Sequence, residues 1–225
     1  VNGKNSEVIL ANKYINNICL SRYTDRIFVG TSEGPVSLLW KNNKWEVEDY
    51  FKELKINVTS MVEMDKHQLW VGTENRAYSI MLDNNSHPAK ISEYKFDTEA
   101  NEEVYIRDIY GKPFFFLKTG IFGYNEDTDS LYFNEEVNKQ FFDRSKYIFS
   151  QSNITWILSK NEWININHEP ELLALKSFYL HLFDEIQNIY VDKEQNLWII
   201  DGNNELFKIY AKALPEQETN FNVFF

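Results

Sequence analysis

Apolar and aromatic residues recur along this chain in short runs, many of them alternating with polar ones and broken by turns rich in Asn, Asp, Gly and Ser. That pattern predicts half-buried β-strands joined by tight reversals. The runs align on an apolar-aromatic pair that leads into a small or polar turn: RIFVGTSEG, QLWVGTENR, PFFFLKTG, ITWILSKNE and NLWIIDGNNE. Their anchors, Phe28, Trp70, Phe115, Trp156 and Trp198, lie 42, 45, 41 and 42 residues apart. Ahead of three anchors stands an apolar pair three apart, Ile15 with Ile18, Val58 with Met61 and Ile186 with Ile189. Polar turns SRYTDR, EMDKHQ and VDKEQN separate those pairs from the anchors. After the anchors come VSLLW, AYSIML, IFGYN, EWINI and LFKIY, and then, in four units, KNNK, DNNSHP, NEDTDS or NHEPE before a further apolar stretch.

Each unit therefore holds four strands, and the period is that of propeller blades, outside the range of leucine-rich or ankyrin units. The expected fold is all-β, a single β-propeller domain of four-stranded antiparallel blades with about five blades visible. The approximate blades are 15–54, 56–100, 103–142, 146–183 and 185–225. They form a complete small ring or part of a larger one, since seven blades would need roughly 300 residues at this period. EVIL at 7–10 and FNVFF at 221–225 have the pattern of outer strands. Two stretches, WEVEDYFKEL at 45–54 and PELLALKSFYLHLF at 170–183, also fit an amphipathic helix. The first stays open between strand and helix; the place of the second in the repeat favours a strand.

Composition agrees with the pattern: 16% of the 225 residues are aromatic, a bias that suits pleated strands. The net charge of -11, with Lys and Arg scattered singly, disfavours nucleic acid as a partner. Cys19 is the only cysteine and sits among apolar neighbours, so internal disulfides and Cys-based zinc sites are excluded and a buried structural thiol is expected. No run of 18 apolar residues marks a membrane segment, and the first residues lack a signal-peptide pattern. The opening residue Val1 fits a processed or trimmed product.

Three units, INNICLSRYTDRIFVGTSEG, VTSMVEMDKHQLWVGTENR and IQNIYVDKEQNLWIIDGNNELFKI, resemble the two-component-regulator propeller repeat. That pattern is an apolar pair, an acidic-to-Gly turn, L-W-I-G-T and a Gly-Leu turn. Gln68 and Asn196 stand where the family usually has Gly, and IRDIYGKPFFFLKTGIFGYN and KYIFSQSNITWILSKNEWINI match by spacing alone. The resemblance spans residues 15 to 210. It implies the extracytoplasmic sensor of a membrane histidine kinase, often a hybrid one responding to polysaccharide breakdown products. It further implies a periplasmic or extracellular location, a small-molecule or oligosaccharide ligand, and a homodimer formed through the parent receptor. Family members also carry more blades, a small β-sandwich, a membrane helix and a kinase, none of which is among these 225 residues.

Propeller strand order puts the turn after each anchor strand on the same face as the segments leading into the inner strands. Candidate ligand-binding residues are therefore Glu33, Arg76, Lys118, Lys160, Asn161 and Asn203 from the turns. Tyr14, Tyr105 and Arg107 join them from the lead-in segments. Aromatic faces beside Arg, Asn and Glu suit a sugar, although turns are polar for conformational reasons alone. The anchor tryptophans read as core. His67, His87, His168 and His181 lack metal spacing, and no nucleotide or dinucleotide fingerprint is present, so neither a metal nor a cofactor is expected. Asp127 and Asp129 in NEDTDS read as a hairpin turn. The sequence points to a ligand-sensing module and away from an enzyme. A protein-interaction scaffold is the alternative, and a glycan-cleaving enzyme would need two carboxylates facing across a channel.

Overall fold

The computed structural model describes residues 7–98, 101–109, 111–141, 146–149, 155–159, 162–165 and 179–210. The chain divides into two compact units, Val1–Phe142 and Asp143–Phe225. In the first, β1 (Ile15–Leu20), β2 (Arg26–Thr31), β3 (Gly34–Lys41) and β4 (Lys44–Glu48) form one antiparallel sheet in sequence order. The second sheet is β5 (Ser60–Asp65), β6 (Gln68–Gly72), β7 (Arg76–Leu82) and β8 (Pro88–Lys95). The third comprises β9 (Tyr105–Ile109), β10 (Lys112–Leu117), β11 (Gly120–Asn125) and β12 (Ser130–Phe133), followed by helix α1 (Glu135–Phe141). In the second unit, β13 (Lys146–Phe149), β14 (Thr155–Ser159) and β15 (Glu162–Asn165) make one sheet. Strands β16 (Ile186–Val191), β17 (Leu197–Asp201) and β18 (Leu206–Ile209) make another. The protein is thus all-β, its described strands forming antiparallel sheets of the propeller-blade type.

Turn chemistry places the reversals. Asn42 and Asn43, at φ 53° and 60°, supply the two left-handed positions between β3 and β4. Asp83 Oδ1 accepts from the backbone of Asn85 and His87 between β7 and β8, and Asn125 Oδ1 accepts from Asp127 and Thr128 between β11 and β12. In the stretch 45–54, β4 runs to Glu48 and a turn follows, so its first half is strand and no helix forms.

Three features depart from the sequence reading. Residues 7–10 form no strand and include a bend. At 179–183, where a fourth strand was expected, Leu182 and Phe183 donate to carbonyls three residues back, closing short helical turns. The earlier part of that stretch and residues 221–225 lie outside the described residues. Helix α1 was not foreseen. Asn134 Oδ1 caps Val137 N at 3.0 Å, Glu135 and Glu136 favour the first turn, and Asn138 bonds both backbone groups of Ile121.

Sheets pack face to face, with the anchors between them. Phe28 is fully buried against Met61, Leu69 and Val71 of the second sheet. Trp70 is fully buried against Phe115, Tyr94 and Tyr124, at ring-centroid distances of 5.0 to 5.2 Å. In the second unit Trp156 packs on Ile189, Leu197 and Ile199. The third anchor needs correcting. The β10–β11 turn pairs Leu117 with Gly120, as the β2–β3 turn pairs Thr31 with Gly34. Counting three residues back from the turn makes Phe114 the counterpart of Phe28, while Phe115 points the other way, toward Trp70. The equivalent spacings become 42, 44, 42 and 42.

The register also explains the VGT glycines. A β-carbon on Gly72 would lie 2.1 Å from the carbonyl oxygen of Val104, and one on Gly30 would lie 2.6 Å from Val58 Cγ1. Gly30 admits the Val58 side chain and Gly72 the Val104 backbone, each in the segment leading into the next inner strand, and Thr59 and Ser60 fasten the latter by donating to Val104 O at 2.8 and 2.9 Å. At the opposite end Arg22 donates to Glu63 O and to Asp108 Oδ2, joining all three sheets of this unit. Burial raises the Glu63 carboxyl above its ordinary value, against the hydrogen bonds from Arg22 N and Ser21 Oγ.

Trp198, the last anchor, is partly exposed and is held instead by Asp192, which accepts from its Nε1 at 2.8 Å. Desolvation of Asp192 opposes its charge but is outweighed by hydrogen bonds from Trp198 and Asn196, which hold the carboxyl at about 2.

Two outcomes follow for stability. Gly72→Ala forces the Val104 backbone to move and should cost about 1–3 kcal/mol in denaturant unfolding; a change within about 0.5 kcal/mol, ordinary for surface substitutions, would mean the approach is not a constraint. Asp192 has its folded value below the unfolded one, so its stabilisation is complete above pH 4 and fades as the pH falls toward 2. Asp192→Asn should therefore lower the thermal midpoint at pH 7 and lower it much less at pH 2; an equal loss at both would refute the charge's role.

Candidate functional site

In the first unit the turns after β2, β6 and β10 interlock with the segments leading into β1, β5 and β9. Ser32 N donates to Tyr14 O at 3.0 Å, Val58 N to Thr31 O at 3.0 Å, and Asn75 N to Glu102 O at 2.8 Å. Asn75 Oδ1 accepts in return from Glu102 N at 2.6 Å. The buried Glu102 carboxylate accepts from Thr119 N and Oγ1 at 3.0 and 3.2 Å. One end of this unit thus gathers three hairpin turns and three lead-in segments, the arrangement from which the candidates were chosen.

Their settings differ. Tyr14 is 81% exposed. Glu33, at the β2–β3 turn, receives Lys13 Nζ at 2.5 Å, and that hydrogen bond holds its carboxyl below the ordinary value. Lys118 is exposed at the β10–β11 turn. Tyr105 donates to Glu103, and burial, then this carboxylate, pushes the phenol up to about 12. Arg76 opens β7 with its side chain turned toward the outer strand, where it pairs with Glu93 at 3.4 Å. Arg107 lies further along β9, partly buried, donating to Ile106 O at 2.6 Å; burial lowers its guanidinium below the usual range. Asn203 belongs to the second unit and bonds Asp201 through its backbone at 2.9 Å, which is turn chemistry. Lys160 and Asn161 lie outside the described residues.

The same end of the first unit contains a cavity of about 570 Å³, a size that suits a small ligand. The β2–β3 turn, the end of β4, the connection from Phe51 to Asn57 and the chain at Leu10 and Lys13 enclose it. Val36, Val47, Phe51 and Ile56 give it apolar walls. Glu48 in its lining is held by Arg26 Nε and Nη2 at 2.8 and 3.1 Å and by Ser37 Oγ at 2.7 Å. Desolvation works against that charge, but these donors outweigh it and keep the carboxyl below its ordinary value.

Of the residues picked from sequence, Glu33 lies in this wall. Lys13, Lys52, Lys55 and Asn57 were missed. Lys52 lies in the stretch left open between strand and helix and the others sit in or next to connections, where the repeat offers no register; the pair Lys52-x-x-Lys55 was the available signal.

Asp129, by contrast, accepts from the phenols of Tyr94 and Tyr124 at its hairpin turn. Among the described residues no group of three His, Cys, Asp or Glu side chains is placed to hold a metal ion, and no helix is long and apolar enough to cross a membrane.

No protein-family profile matches the chain, and no curated protein matches it in sequence. Among solved structures it is similar to the extracellular domain attributed to a hybrid two component system of B. thetaiotaomicron. The TM-score is 0.51 at 16% identity, over 87% of this chain and 26% of that one. It is similar to an auxiliary nutrient binding protein of Bacteroides thetaiotaomicron, with TM-score 0.52 and 11% identity over 86% of this chain and 58% of that one. It is also similar to a luciferin-regenerating enzyme, with TM-score 0.53 and 12% identity over 90% of this chain and 74% of that one. The chain spans about a quarter of the first of these and just over half of the second. At such identities the likeness establishes a shared fold, one used for binding and for catalysis alike. The fold is the one implied by the repeats' resemblance to two-component-regulator propellers.

Proposed function

We propose that this chain is the ligand-binding part of an extracytoplasmic receptor and that a small carbohydrate occupies the cavity of the first blade. The cavity carries this reading. It combines apolar walls, against which a sugar ring can pack, with Ser32, Asn57 and several charged side chains able to bond hydroxyls. Its position at the hairpin-turn end supports a signalling role, because a ligand there contacts both the β2–β3 turn and the connection into the second sheet. Ligand binding would favour one arrangement of these segments, and the receptor, as a homodimer, would transmit that population shift.

Catalysis is disfavoured by the carboxylates at hand. Glycoside cleavage needs one carboxyl that keeps its proton near neutral pH, whereas Glu33 and Glu48 are both held below their ordinary values by cationic partners. A protein-interaction role has its own observation, the exposed apolar row Ile15, Ile18 and Leu20 on β1.

A thermal-shift screen against oligosaccharides tests the proposal. One class should raise the midpoint in a concentration-dependent way, equivalent to about 2.7 kcal/mol at a hundred times Kd. Ser32→Trp, which fills the cavity from its exposed rim, should abolish the rise while leaving the ligand-free midpoint within a degree or two. Undiminished binding by that variant would remove the cavity as the site. Absence of any shift across the panel would overturn the sensor reading in favour of protein interaction.

A further inference from the structure

We propose that the ligand is an anionic sugar, whose carboxylate or sulfate is held by Lys52 and Lys55. This rests on the binding role proposed for the same cavity and specifies its chemistry. The lining carries Lys13, Lys52 and Lys55 against Glu33, Glu48 and Asp49. Arg26, from outside the lining, neutralises Glu48, and Lys13 neutralises Glu33. Lys52 and Lys55 form no ion pair among the described residues. Two ammonium groups beside one carboxylate, Asp49, are thus left in the lining without an ion-pair partner among the described residues, in a chain whose net charge is -11. Unpaired lysines lining a small cavity of an acidic protein mark a place where an anion is attracted although the mean field repels it.

Hydrogen-bonding polarity points the same way. Asn57 Oδ1 accepts from Asn16 Nδ2 at 3.0 Å, which turns one acceptor site away from a ligand, while its NH₂ donor makes no hydrogen bond among the described residues. With the lysines it forms a donor-rich wall, complementary to an acceptor-rich group such as a carboxylate or sulfate. The Lys13–Glu33 pair adds a competitor. Glu33 is 65% exposed, and a ligand anion entering the cavity contends with it for the Lys13 ammonium.

The test is calorimetric titration of the chain with three sets of oligosaccharides of matched length, neutral, uronate-bearing and sulfated. The uronate-bearing or the sulfated set should bind, and which of them binds distinguishes the two sources of charge. Lys52→Gln with Lys55→Gln should weaken that binding tenfold or more and flatten its salt dependence, with an unchanged melting midpoint because both side chains are exposed. Glu33→Gln should strengthen it several-fold by releasing Lys13. If a neutral oligosaccharide binds as well as its charged counterpart and the lysine variant leaves it unaffected, the cavity remains a sugar site and the assignment of charge fails. If no set binds, the binding role falls with it.

Discussion

Trp70 occupies the place on which the packing of the first unit turns. A four-stranded sheet that is apolar on both faces cannot be stable alone in water, and Trp70 is buried where Phe115 and Tyr124 of the third sheet close over it beside Tyr94 of its own. Gly72, two residues on, allows the approach. Because the same approach fixes the segment 102–105, it also fixes where Glu102 receives Thr119 and hence where the β10–β11 turn lies. Gly30 and Val58 repeat this between the first two sheets, and there the connection they hold forms one wall of the cavity.

Charge is distributed in a complementary way. Away from the hairpin-turn end, charged groups are used against one another across sheets. Arg22 bridges Glu63 and Asp108, and Arg26, which reaches Glu48 at the cavity from outside its lining, ties the first sheet to the turn at Asn85 and Ser86. Such partly buried, multiply bonded ions specify how sheets meet and leave little for a ligand. At the hairpin-turn end, by contrast, Lys52 and Lys55 are left over beside a cavity. The division of labour between linking charges and spare charges is the physical basis for placing the site there.

The fold was legible because its causes are local and repeated. Alternation gave the strands, Asn42-Asn43 and Asp83 gave the reversals, and the period gave the blades. The register within a unit was less legible where glycine was missing. In PFFFLKTG three consecutive phenylalanines fit either face, and the turn at Leu117 and Gly120 decides for Phe114 as the counterpart of Trp70. Helix α1 was hidden because its determinants, the Asn134 cap and Asn138 clasping Ile121, are single polar residues whose role depends on a tertiary partner. The cavity was hidden for a similar reason. It is enclosed by a turn, a strand end and a connection distant in sequence, and among the described candidate residues Glu33 alone came from a part of the repeat that reaches it.

The claim that binding is centred on the first blade is tested most directly by hydrogen exchange with and without a saturating oligosaccharide. The account predicts added protection of amides in residues 31–36 and 51–57, which line the cavity, and little change in β9 and the β10–β11 turn. Protection centred on Tyr105, Arg107 and Lys118 instead, with the cavity segments unaffected, would contradict it.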